Sequence, residues 1–525
     1  MSASVSSYIE SMSKKLLGIV VLGLLWCNIS FAEKKYNDRA IYRFTQWLYD
    51  NGHHQYLNLN PDVASYRVTV KNKKDPLTNI HMTHVSKSTA KVNAMEACER
   101  AFKTRGKEMQ KACYIHSVVE LNPCKTEPKY SQVWYQNKCH KFRGTTNLNI
   151  NAYTERKNEI PYGKNPNRDT LLFYAYYYLI DEEGFGKYLV EPSKTPLEFK
   201  SNLKEDKFVK QQLQKKAILS YLYFQDDQIV IDEITPKDRF GIVFKDDTKW
   251  NSMSMGKSLV SYVAGHAICE GYIDGIDAKI NDWPLIENTL YHNQKLIDLL
   301  NMSAGDQKHV DGYRGLIKTG RWYNVHPISA FAFDELDNTV KAKSKYNYNG
   351  LVTNIIMNYV IHKAGSDFQK LLNQIFQEKA KVKNSVFFFK IKNIPNEFGP
   401  GRGSFFASRY DYLRIAKAIM DDYQNDTCVG KYLKEIYKRR IPKKLSQDLL
   451  EPHFNRTSSY GGQFHLDYPG LKDRVVFGMG GFGGQAILID VENSRIVVLN
   501  SLHYNNTKYK YSVKKLLIDP IKNGK

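Results

Sequence analysis

The chain has 525 residues, of which 42% are hydrophobic and 13% aromatic, enough for about two to three domains with sizeable cores. Its formal charge is +22, and lysine and arginine are spread along the whole sequence rather than gathered in one block. The sequence has no zinc-finger spacing, no glycine-rich phosphate loop and no arginine–aromatic RNA signature, so the charge does not indicate a nucleic-acid partner. A diffuse basic surface instead indicates either a lysine-rich composition or association with an anionic cell envelope.

The first 32 residues have the pattern of a secretion signal. Lys14 and Lys15 give a positive start, an apolar core covers 16–26, and the small residues Ser30 and Ala32 occupy the positions that a signal peptidase reads. We predict cleavage after Ala32 and a periplasmic mature protein. An uncleaved membrane anchor is the alternative, although the apolar core is short for a bilayer span.

Residues 33–155 are predicted to form a separate, small N-terminal α+β unit. A strand is expected over 65–70, and an alanine-rich helix with a close-packing face over 89–102. Two strand-like pieces follow over 113–121 and 132–139. The pattern does not indicate what this accessory unit binds.

Cysteine spacing predicts that disulfides staple the N-terminal unit. Its cysteines are Cys98, Cys113, Cys124 and Cys139. Four cysteines allow three connectivities, and we favour Cys98–Cys113 with Cys124–Cys139 because short loops close most easily. A zinc site is the alternative, but the sequence has no Cys-x-x-Cys pair. Farther along the chain, Cys269 is expected to be packed inside a helix and Cys428 to be unpaired.

Residues 156–525 are predicted to form the larger domain. Two apolar runs over 217–224 and 229–234 flank Asp226 and Asp227, a pattern that predicts a β-hairpin. Near the end of the chain, three strands and a closing helix are expected over 474–477, 485–491, 495–500 and 508–518. Strands at both ends with a helical middle indicate one antiparallel sheet flanked by helices, with a helical subdomain inserted.

A buried helix is predicted to begin near Ser254. Apolar residues recur at helical spacing from Leu259 to Ile268, and Gly271 supplies a stop. Ser254 and Lys257 would then share one face of the first turn. A lysine shielded from water there loses affinity for its proton, so it can deprotonate the Ser254 hydroxyl and make it nucleophilic.

The Ser-x-x-Lys spacing is a weak signal when it stands alone. It also occurs at Ser11, Ser88, Ser201 and Ser512. None of these copies stands where a buried apolar helix begins, so only Ser254 combines the spacing with a position suited to catalysis.

Several motifs follow one another in a fixed order between Ile218 and Asn500. They are Ser254-Met-Gly-Lys-Ser, Glu270-Gly-Tyr-Ile-Asp-Gly-Ile-Asp, Leu299 to Gly305, Ala407 to Arg414, and Gly480 to Gln485. Together they resemble the serine β-lactamase-like superfamily, class C branch, which includes esterases, D-amino-acid peptidases and 6-aminohexanoate-dimer hydrolases. The resemblance implies a β-lactamase/transpeptidase-like α/β (α+β) fold for this region.

The resemblance also implies roles for side chains. Ser254 would attack an amide or ester carbonyl, Lys257 would accept its proton, and a tyrosine would pass a proton to the leaving group. Counting back from the predicted helix end at Gly365 aligns Tyr348 with the family tyrosine, and Tyr346 is the alternative.

A glycine-rich stretch supplies the rest of the implied site. Met479, Gly480 and Gly481 would line the substrate, since glycine lets the backbone come close to a ligand. The backbone N–H groups of Phe482 and Ser254 would form the oxyanion hole.

Two positions depart from the family pattern. Gly350 stands where the family has Asn or Ser, which removes an expected contact to a substrate amide. Met479 stands where the family has Lys or His, and a thioether cannot attract a carboxylate. Because β-lactams carry a carboxylate, this departure argues against true β-lactamase activity.

We therefore expect a secreted serine hydrolase that cleaves an amide or ester bond of a small molecule through an acyl-enzyme, without a metal or organic cofactor. One alternative is a catalytically weak envelope-binding protein that retains the fold. Another is a peptidoglycan D-amino-acid peptidase, which would use the same mechanism on a different substrate.

Overall fold

The structure is a computed structural model that describes residues 57–59, 65–84, 86–121, 140–142, 185–241, 243–312, 316–317, 327–391, 401–443, 457–502 and 510–525. The chain divides into two compact units, residues 1–151 and 152–525. The predicted leader, the predicted pair Cys124–Cys139 and the predicted strand over 132–139 lie outside the described residues.

The first unit is a small antiparallel sheet with a helix on one face. Its elements are β1 (Leu57–Leu59), β2 (Ser65–Asn72), β3 (Asp75–His84), α1 (Lys87–Ala101), α2 (Lys107–Lys111), β4 (Cys113–Leu121) and β5 (His140–Phe142). Three strands pair antiparallel in the order β3-β2-β4, and β1 pairs with β5. The predicted strands over 65–70 and 113–121 and the helix over 89–102 correspond to β2, β4 and α1.

The core of the first unit lies between α1 and β2. Ala90, Ala94 and Cys98 follow one another at four-residue spacing, so they form a single helix face. This face packs against Val68 and Val70, which alternate along β2 and are both fully buried. Small side chains on the helix let it approach the sheet closely.

The second unit contains the remaining elements. Its strands are β6 (Phe185–Val190), β7 (Lys200–Ser201), β8 (Ile218–Gln225), β9 (Gln228–Ile234), β10 (Trp250–Asn251), β11 (Val310–Asp311), β12 (Leu316–Ile317), β13 (Val386–Ile391), β14 (Gly401–Ala407), β15 (Ile441–Pro442), β16 (Ser459–Gly461), β17 (Phe464–Leu466), β18 (Val476–Gly481), β19 (Gln485–Asp490) and β20 (Arg495–Ser501). Its helices are α3 (Lys207–Lys215), α4 (Met255–Cys269), α5 (Leu296–Leu300), α6 (Ser329–Ala332), α7 (Gly350–Ala364), α8 (Phe368–Leu372), α9 (Arg409–Gln424), α10 (Cys428–Lys438) and α11 (Asp519–Asn523). Two π-helical turns cover Asn373–Lys379 and Lys514–Ile518.

A nine-stranded sheet forms the frame of the second unit. The strand order is β15-β16-β17-β18-β19-β20-β8-β9-β7, and all neighbours pair antiparallel except β7 and β9. The predicted hairpin is β8–β9, whose two turn residues Asp226 and Asp227 have φ of 49° and 60°. Consecutive left-handed residues give the turn a twist that matches the flanking strands, and Asp tolerates this region better than most residues.

The end of the chain covers one face of this sheet. The hydroxyl of Tyr221 donates to the carbonyl of Leu516 at 2.9 Å, and that of Tyr223 donates to the carbonyl of Pro520 at 3.0 Å. The closing helix was predicted over 508–518, but it covers Lys514–Ile518 and continues through α11 to Asn523. Proline suits the first turn of α11, since its missing N–H is not needed there.

A second sheet positions the helix that begins at Ser254. Its strand order is β10-β14-β13-β6, and β10 leads directly into α4. Twelve of the fifteen residues of α4 are buried, and the helix packs against α7 and β14. Gly256 allows this approach, because a Cβ there would lie 1.8 Å from the carbonyl oxygen of Gly403.

Two disulfides join described cysteines. One links Cys98 of α1 to Cys113 of β4, the pairing favoured from loop length. The other links Cys269, at the end of α4, to Cys428, at the start of α10. The predictions that Cys269 is merely packed and that Cys428 is unpaired are therefore wrong. These two cysteines are 159 residues apart, and only the packing of α10 on α4 brings them together.

The described part of the chain is thus a mixed α/β protein with antiparallel sheets flanked by helices. In this part, no helix is both long enough and apolar enough to span a bilayer.

Candidate active site

The chain reaches Ser254 through a strained turn between β10 and α4. Ser252 is fixed to β14, since its N–H donates to the carbonyl of Phe405 at 2.7 Å and its Oγ accepts from the Phe405 N–H at 2.9 Å. Met253 has φ of 47°, a left-handed conformation unusual for a side chain of this kind. The Oδ1 of Asn251 accepts from the Met253 N–H at 2.9 Å and helps to hold this turn. The backbone therefore presents Ser254 at a fixed point.

Ser254 and Lys257 are in direct contact. The Nζ of Lys257 lies 3.1 Å from the Oγ of Ser254, as expected for residues three apart at the first turn of a helix. Both side chains are partly exposed, so a ligand can reach them. The protein nevertheless surrounds the amine, and this burial lowers the pKa of Lys257 to about 8. A neutral amine is a base that can accept the hydroxyl proton.

The position of Ser254 adds an electrostatic contribution. It is the N-cap of α4, and its side chain makes no capping hydrogen bond to the helix. The hydroxyl is therefore not used to cap the backbone. The N-terminal end of a helix carries a partial positive charge. This charge favours negative charge that develops beside Ser254.

The structure places Tyr348 next to this pair. The centroid of its ring lies 5.1 Å from the Nζ of Lys257, and the side chain is partly exposed. Tyr346 is 5% exposed and packs against Tyr460, with ring centroids 5.3 Å apart. Of the two tyrosines considered from the sequence, Tyr348 is therefore the one in contact with the lysine and reachable by a ligand.

The glycine-rich turn between β18 and β19 lies against the segment that leads to Ser254. A Cβ on Gly481 would lie 2.6 Å from the carbonyl oxygen of Ser252, so the two backbones are in contact. Phe482 follows in the turn and is partly exposed. Gly483 and Gly484 have φ of 88° and 93°, which glycine adopts without strain. Phe482 therefore directly follows Gly481, whose backbone contacts Ser252 in the segment that leads to Ser254.

The predicted substrate-lining residues lie on β18. Gly480 and Gly481 are buried, and the side chain of Met479 is fully buried opposite Ile487 of β19. Gly350, the other departure from the family pattern, is the first residue of α7. A contact between substrate and Met479, Gly480 or Gly481 stays a prediction.

Sequence reasoning missed three residues that hold the site. Ser252 fastens the turn before Ser254 to β14, Asp306 binds the residues around Tyr348, and the hydroxyl of Tyr511 donates to the carbonyl of Gly484. Asp306 directly follows the Leu299 to Gly305 motif, which is the one local signal. The other contacts join distant parts of the chain and leave no spacing pattern.

The described residues contain no group of three or more His, Cys, Asp or Glu side chains arranged to hold a metal ion. The Lys257 amine contacts the Ser254 hydroxyl, and the Tyr348 ring lies beside that amine. An amine and a phenol placed in this way can move protons.

The sequence matches no family model and no curated protein. Among solved structures, a protein named as a 6-aminohexanoate-dimer hydrolase from Bacillus anthracis is 13% identical, with 68% of this chain and 98% of that chain covered and a TM-score of 0.49. An octameric penicillin-binding protein homologue from Pyrococcus abyssi is 16% identical, with coverage of 57% and 74% and a TM-score of 0.40.

A D-stereospecific amidohydrolase from Streptomyces sp. is 14% identical, with 61% of this chain and all of that chain covered and a TM-score of 0.40. The solved structures to which this chain is similar are serine β-lactamase-like and penicillin-binding-protein-like hydrolases, at 12–16% identity.

Proposed function

We propose that this protein is a serine hydrolase that cleaves an amide or ester bond through an acyl-enzyme. The observation that carries the proposal is the contact of 3.1 Å between the Lys257 amine and the Ser254 hydroxyl. Burial lowers the pKa of this amine to about 8, so part of it is neutral near neutral pH and can act as a base. The strained turn at Met253 and the adjacent glycine turn support the same function.

In the acylation step, the Oγ of Ser254 attacks the substrate carbonyl carbon while its proton passes to the Nζ of Lys257. The carbonyl oxygen becomes an oxyanion that accepts hydrogen bonds from the N–H groups of Ser254 and Phe482. Collapse of this intermediate breaks the bond to the leaving group, and the proton reaches the departing atom through Tyr348. Tyr348 is suited to this role because its ring lies against the Lys257 amine.

In the deacylation step, water attacks the acyl carbonyl of Ser254. Its proton passes through Tyr348 and Lys257 to the serine oxygen as the ester bond breaks. The free acid leaves, and the starting protonation of the site is restored. No metal or organic cofactor enters either step.

The proposed location is the periplasm, after removal of residues 1–32. The pattern of positive, apolar and small residues before Glu33 supports this part of the proposal. The mass of the mature protein purified from the cell envelope tests it, since cleavage after Ala32 leaves Glu33 at the N-terminus. A mature chain that keeps its first 32 residues would overturn the proposed cleavage.

Labelling with a fluorophosphonate tests the nucleophile. We expect the wild-type protein to be labelled and Ser254→Ala to be unlabelled. Ser512→Ala is the matched control, because Ser512 and Lys515 have the same spacing outside the site and should not affect labelling. Equal labelling of wild type and Ser254→Ala would overturn the assignment of the nucleophile.

A panel of substrates tests the reaction class. Short-chain esters, linear amides and a chromogenic β-lactam should be compared on wild type and Ser254→Ala. We expect turnover of neutral esters or amides and little turnover of the β-lactam, because the buried Met479 provides no charge for its carboxylate. Ready turnover of the β-lactam would contradict this specificity.

The second candidate is a catalytically weak envelope-binding protein. Gly350 and Met479 favour it, because neither offers the polar substrate contact of the family pattern. A complete lack of turnover across the panel, together with no labelling of Ser254, would favour this candidate over the enzyme. A D-amino-acid peptidase acting on peptidoglycan would require a cationic group for the terminal carboxylate, and Met479 does not supply one.

A further inference from the structure

Asp306 is a buried carboxylate that the proposed reaction does not use. Its side chain is 1% exposed, and it follows the Leu299 to Gly305 motif in the chain. Three side chains donate hydrogen bonds to it: the hydroxyl of Tyr291 to Oδ2 at 2.9 Å, the amide of Asn347 to Oδ1 at 2.7 Å, and the amide of Asn349 to Oδ2 at 3.0 Å. A buried carboxylate is costly unless it is hydrogen-bonded, and these three donors satisfy both of its oxygens.

Two of these donors stand on either side of Tyr348. Asn347 precedes it and Asn349 follows it, so one carboxylate binds both neighbours of the proposed proton donor. The amide of Asn349 also donates to the carbonyl of Asn347 at 2.9 Å. The backbone of Tyr348 is thereby held as a short bridge between two anchored residues.

Further contacts restrict this bridge. The Oδ1 of Asn349 accepts from the N–H of Val352 at 2.9 Å, which caps α7. The N–H of Asn347 donates to the carbonyl of Met302 at 2.8 Å. Gly312 also packs closely against this segment, since a Cβ there would lie 1.9 Å from the carbonyl oxygen of Tyr348. The segment therefore has little room to shift.

The charge of the group matters to this arrangement. The three partners present a phenol and two amide NH2 groups, all of which can donate to a carboxylate at once. Burial raises the pKa of Asp306, and the three hydrogen bonds partly oppose that shift. An amide in place of the carboxylate would turn one acceptor oxygen into a donor and place it against another donor.

We infer that Asp306 is a positioning residue that holds Tyr348 against the Lys257 amine for proton transfer to the leaving group. The inference rests on the proposed function, in which Tyr348 carries that proton. Asp306 itself does not touch the substrate or the reacting atoms.

If Asp306 had only a structural role, Asp306→Asn would lower stability, and its effect on the rate would not depend on the leaving group. A positioning role makes a sharper prediction, because an alkoxide must be protonated as it departs whereas p-nitrophenolate leaves without help. Wild type and Asp306→Asn should therefore be compared on an alkyl ester and on the p-nitrophenyl ester of the same acid.

We expect Asp306→Asn to lose about 100-fold in kcat/KM on the alkyl ester and to lose far less on the p-nitrophenyl ester. The comparison uses kcat/KM because this ratio reports acylation, whereas deacylation is common to both esters. Adding Asp306→Asn to Tyr348→Phe should cause little further loss, because both changes act through the same proton. Equal losses on the two esters, or a full additional loss in the double variant, would overturn the inference.

Asp422→Asn is the matched control. Asp422 is also fully buried and accepts from the hydroxyl of Tyr262 at 2.6 Å, but its partners include neither Tyr348 nor Lys257. We expect its kinetic effects, whatever their size, to be the same for both esters. A leaving-group effect as large as that of Asp306→Asn would show that general loosening of the fold produces the signal and would overturn the inference.

A second variant decides the question if Asp306→Asn does not fold. Asn347→Ala removes one donor at a partly exposed position and leaves the carboxylate its other two. It should show the same preference for the p-nitrophenyl ester, on a smaller scale. Equal effects on the two esters would overturn the inference. Failure of the inference is distinct from failure of the proposed function, which Ser254→Ala alone would reveal by retaining hydrolysis.

Discussion

At the scale of single residues, the site depends on an amine that is enclosed and yet reachable. Lys257 is partly exposed towards a ligand, while the protein around its Nζ removes much of the water that would stabilise a charge. Its partner Ser254 lies 3.1 Å away. The consequence is a base whose protonation changes within the range where hydrolases are assayed.

The first prediction concerns pH. Because Lys257 must be neutral to accept a proton, kcat/KM should be low below its pKa and should rise with pH to a plateau, with a midpoint near the pKa of about 8. In Lys257→Arg, the rise of kcat/KM with pH should be absent, since the guanidinium group stays protonated. A profile of kcat/KM against pH measures both, with Ser512→Ala as a control that should match wild type. A flat profile would contradict the role of Lys257 as base.

A second prediction tests the glycine turn. Gly481→Ala should lower kcat about 100-fold, because its Cβ would meet the carbonyl oxygen of Ser252 at 2.6 Å and move the Phe482 N–H away from Ser254. The unfolding midpoint of Gly481→Ala, measured in parallel, should stay near that of the wild type, so that the loss of rate is not a loss of folded protein. Full activity in a folded Gly481→Ala would argue against an oxyanion hole at this turn.

A site residue could be predicted from the sequence when its partner lies close to it along the chain, and could not when the partner is distant. Ser254 and Lys257 could be predicted because an i, i+3 pair on a helix is a local pattern. Tyr348 was predicted only through the resemblance, since nothing local distinguishes it among 36 tyrosines. Asp306 and Tyr511 act through contacts with Asn347 and Gly484, and no periodicity encodes such contacts.

At the scale of elements, α4 is a buried helix of the second unit that also carries part of the proposed site. Its first turn carries Ser254 and Lys257, and its last residue, Cys269, is bonded to Cys428 of α10. The helix was predicted because its apolar residues recur at helical spacing. Its cross-link was not, because the partner lies on another helix 159 residues away.

The third prediction concerns this cross-link. A Cys269→Ser/Cys428→Ser variant should lose about 2–5 kcal/mol in the free energy of unfolding, because the closed loop restricts the unfolded chain. Denaturant unfolding of the variant and the wild type measures the loss. Addition of reductant should destabilise the wild type and should not affect the transition of the second unit in the variant. An unchanged midpoint would contradict a stabilising role.

Some elements escaped prediction for a physical reason. The β8–β9 hairpin was evident from two apolar runs around Asp226 and Asp227. Strand β14 is rich in glycine and was not predicted, although it supports the turn before Ser254. Glycine has low strand propensity, and here Gly403 leaves room for Thr353, whose Cγ2 would lie 2.9 Å from a Cβ at this position. Tertiary packing, rather than local preference, determines this strand.

At the scale of the whole molecule, every residue of the proposed site belongs to the second unit, residues 152–525. The first unit has its own core between α1 and β2 and its own disulfide. The length of the chain predicts about two to three domains, but neither length nor charge reveals the task of the first unit.

The fourth prediction follows from this division. A chain that lacks residues 33–151 should keep fluorophosphonate labelling of Ser254 and turnover of small esters within about threefold of the full chain, because no described site residue is removed. Labelling of the shortened chain, with its Ser254→Ala form as control, measures this. A folded shortened chain without labelling would show that the first unit completes the site.

The close approach of Gly256 to β14 has one more consequence. A Cβ at this position would lie 1.8 Å from the carbonyl oxygen of Gly403 and 2.7 Å from the Oγ of Ser252, so the first helical turn sits directly on the strand. In a saturation library screened for hydrolysis, position 256 should therefore tolerate glycine alone, whereas neighbouring Met255 should accept other large apolar residues. In a homologue, a residue other than glycine at this position would indicate that the helix equivalent to α4 lies farther from β14.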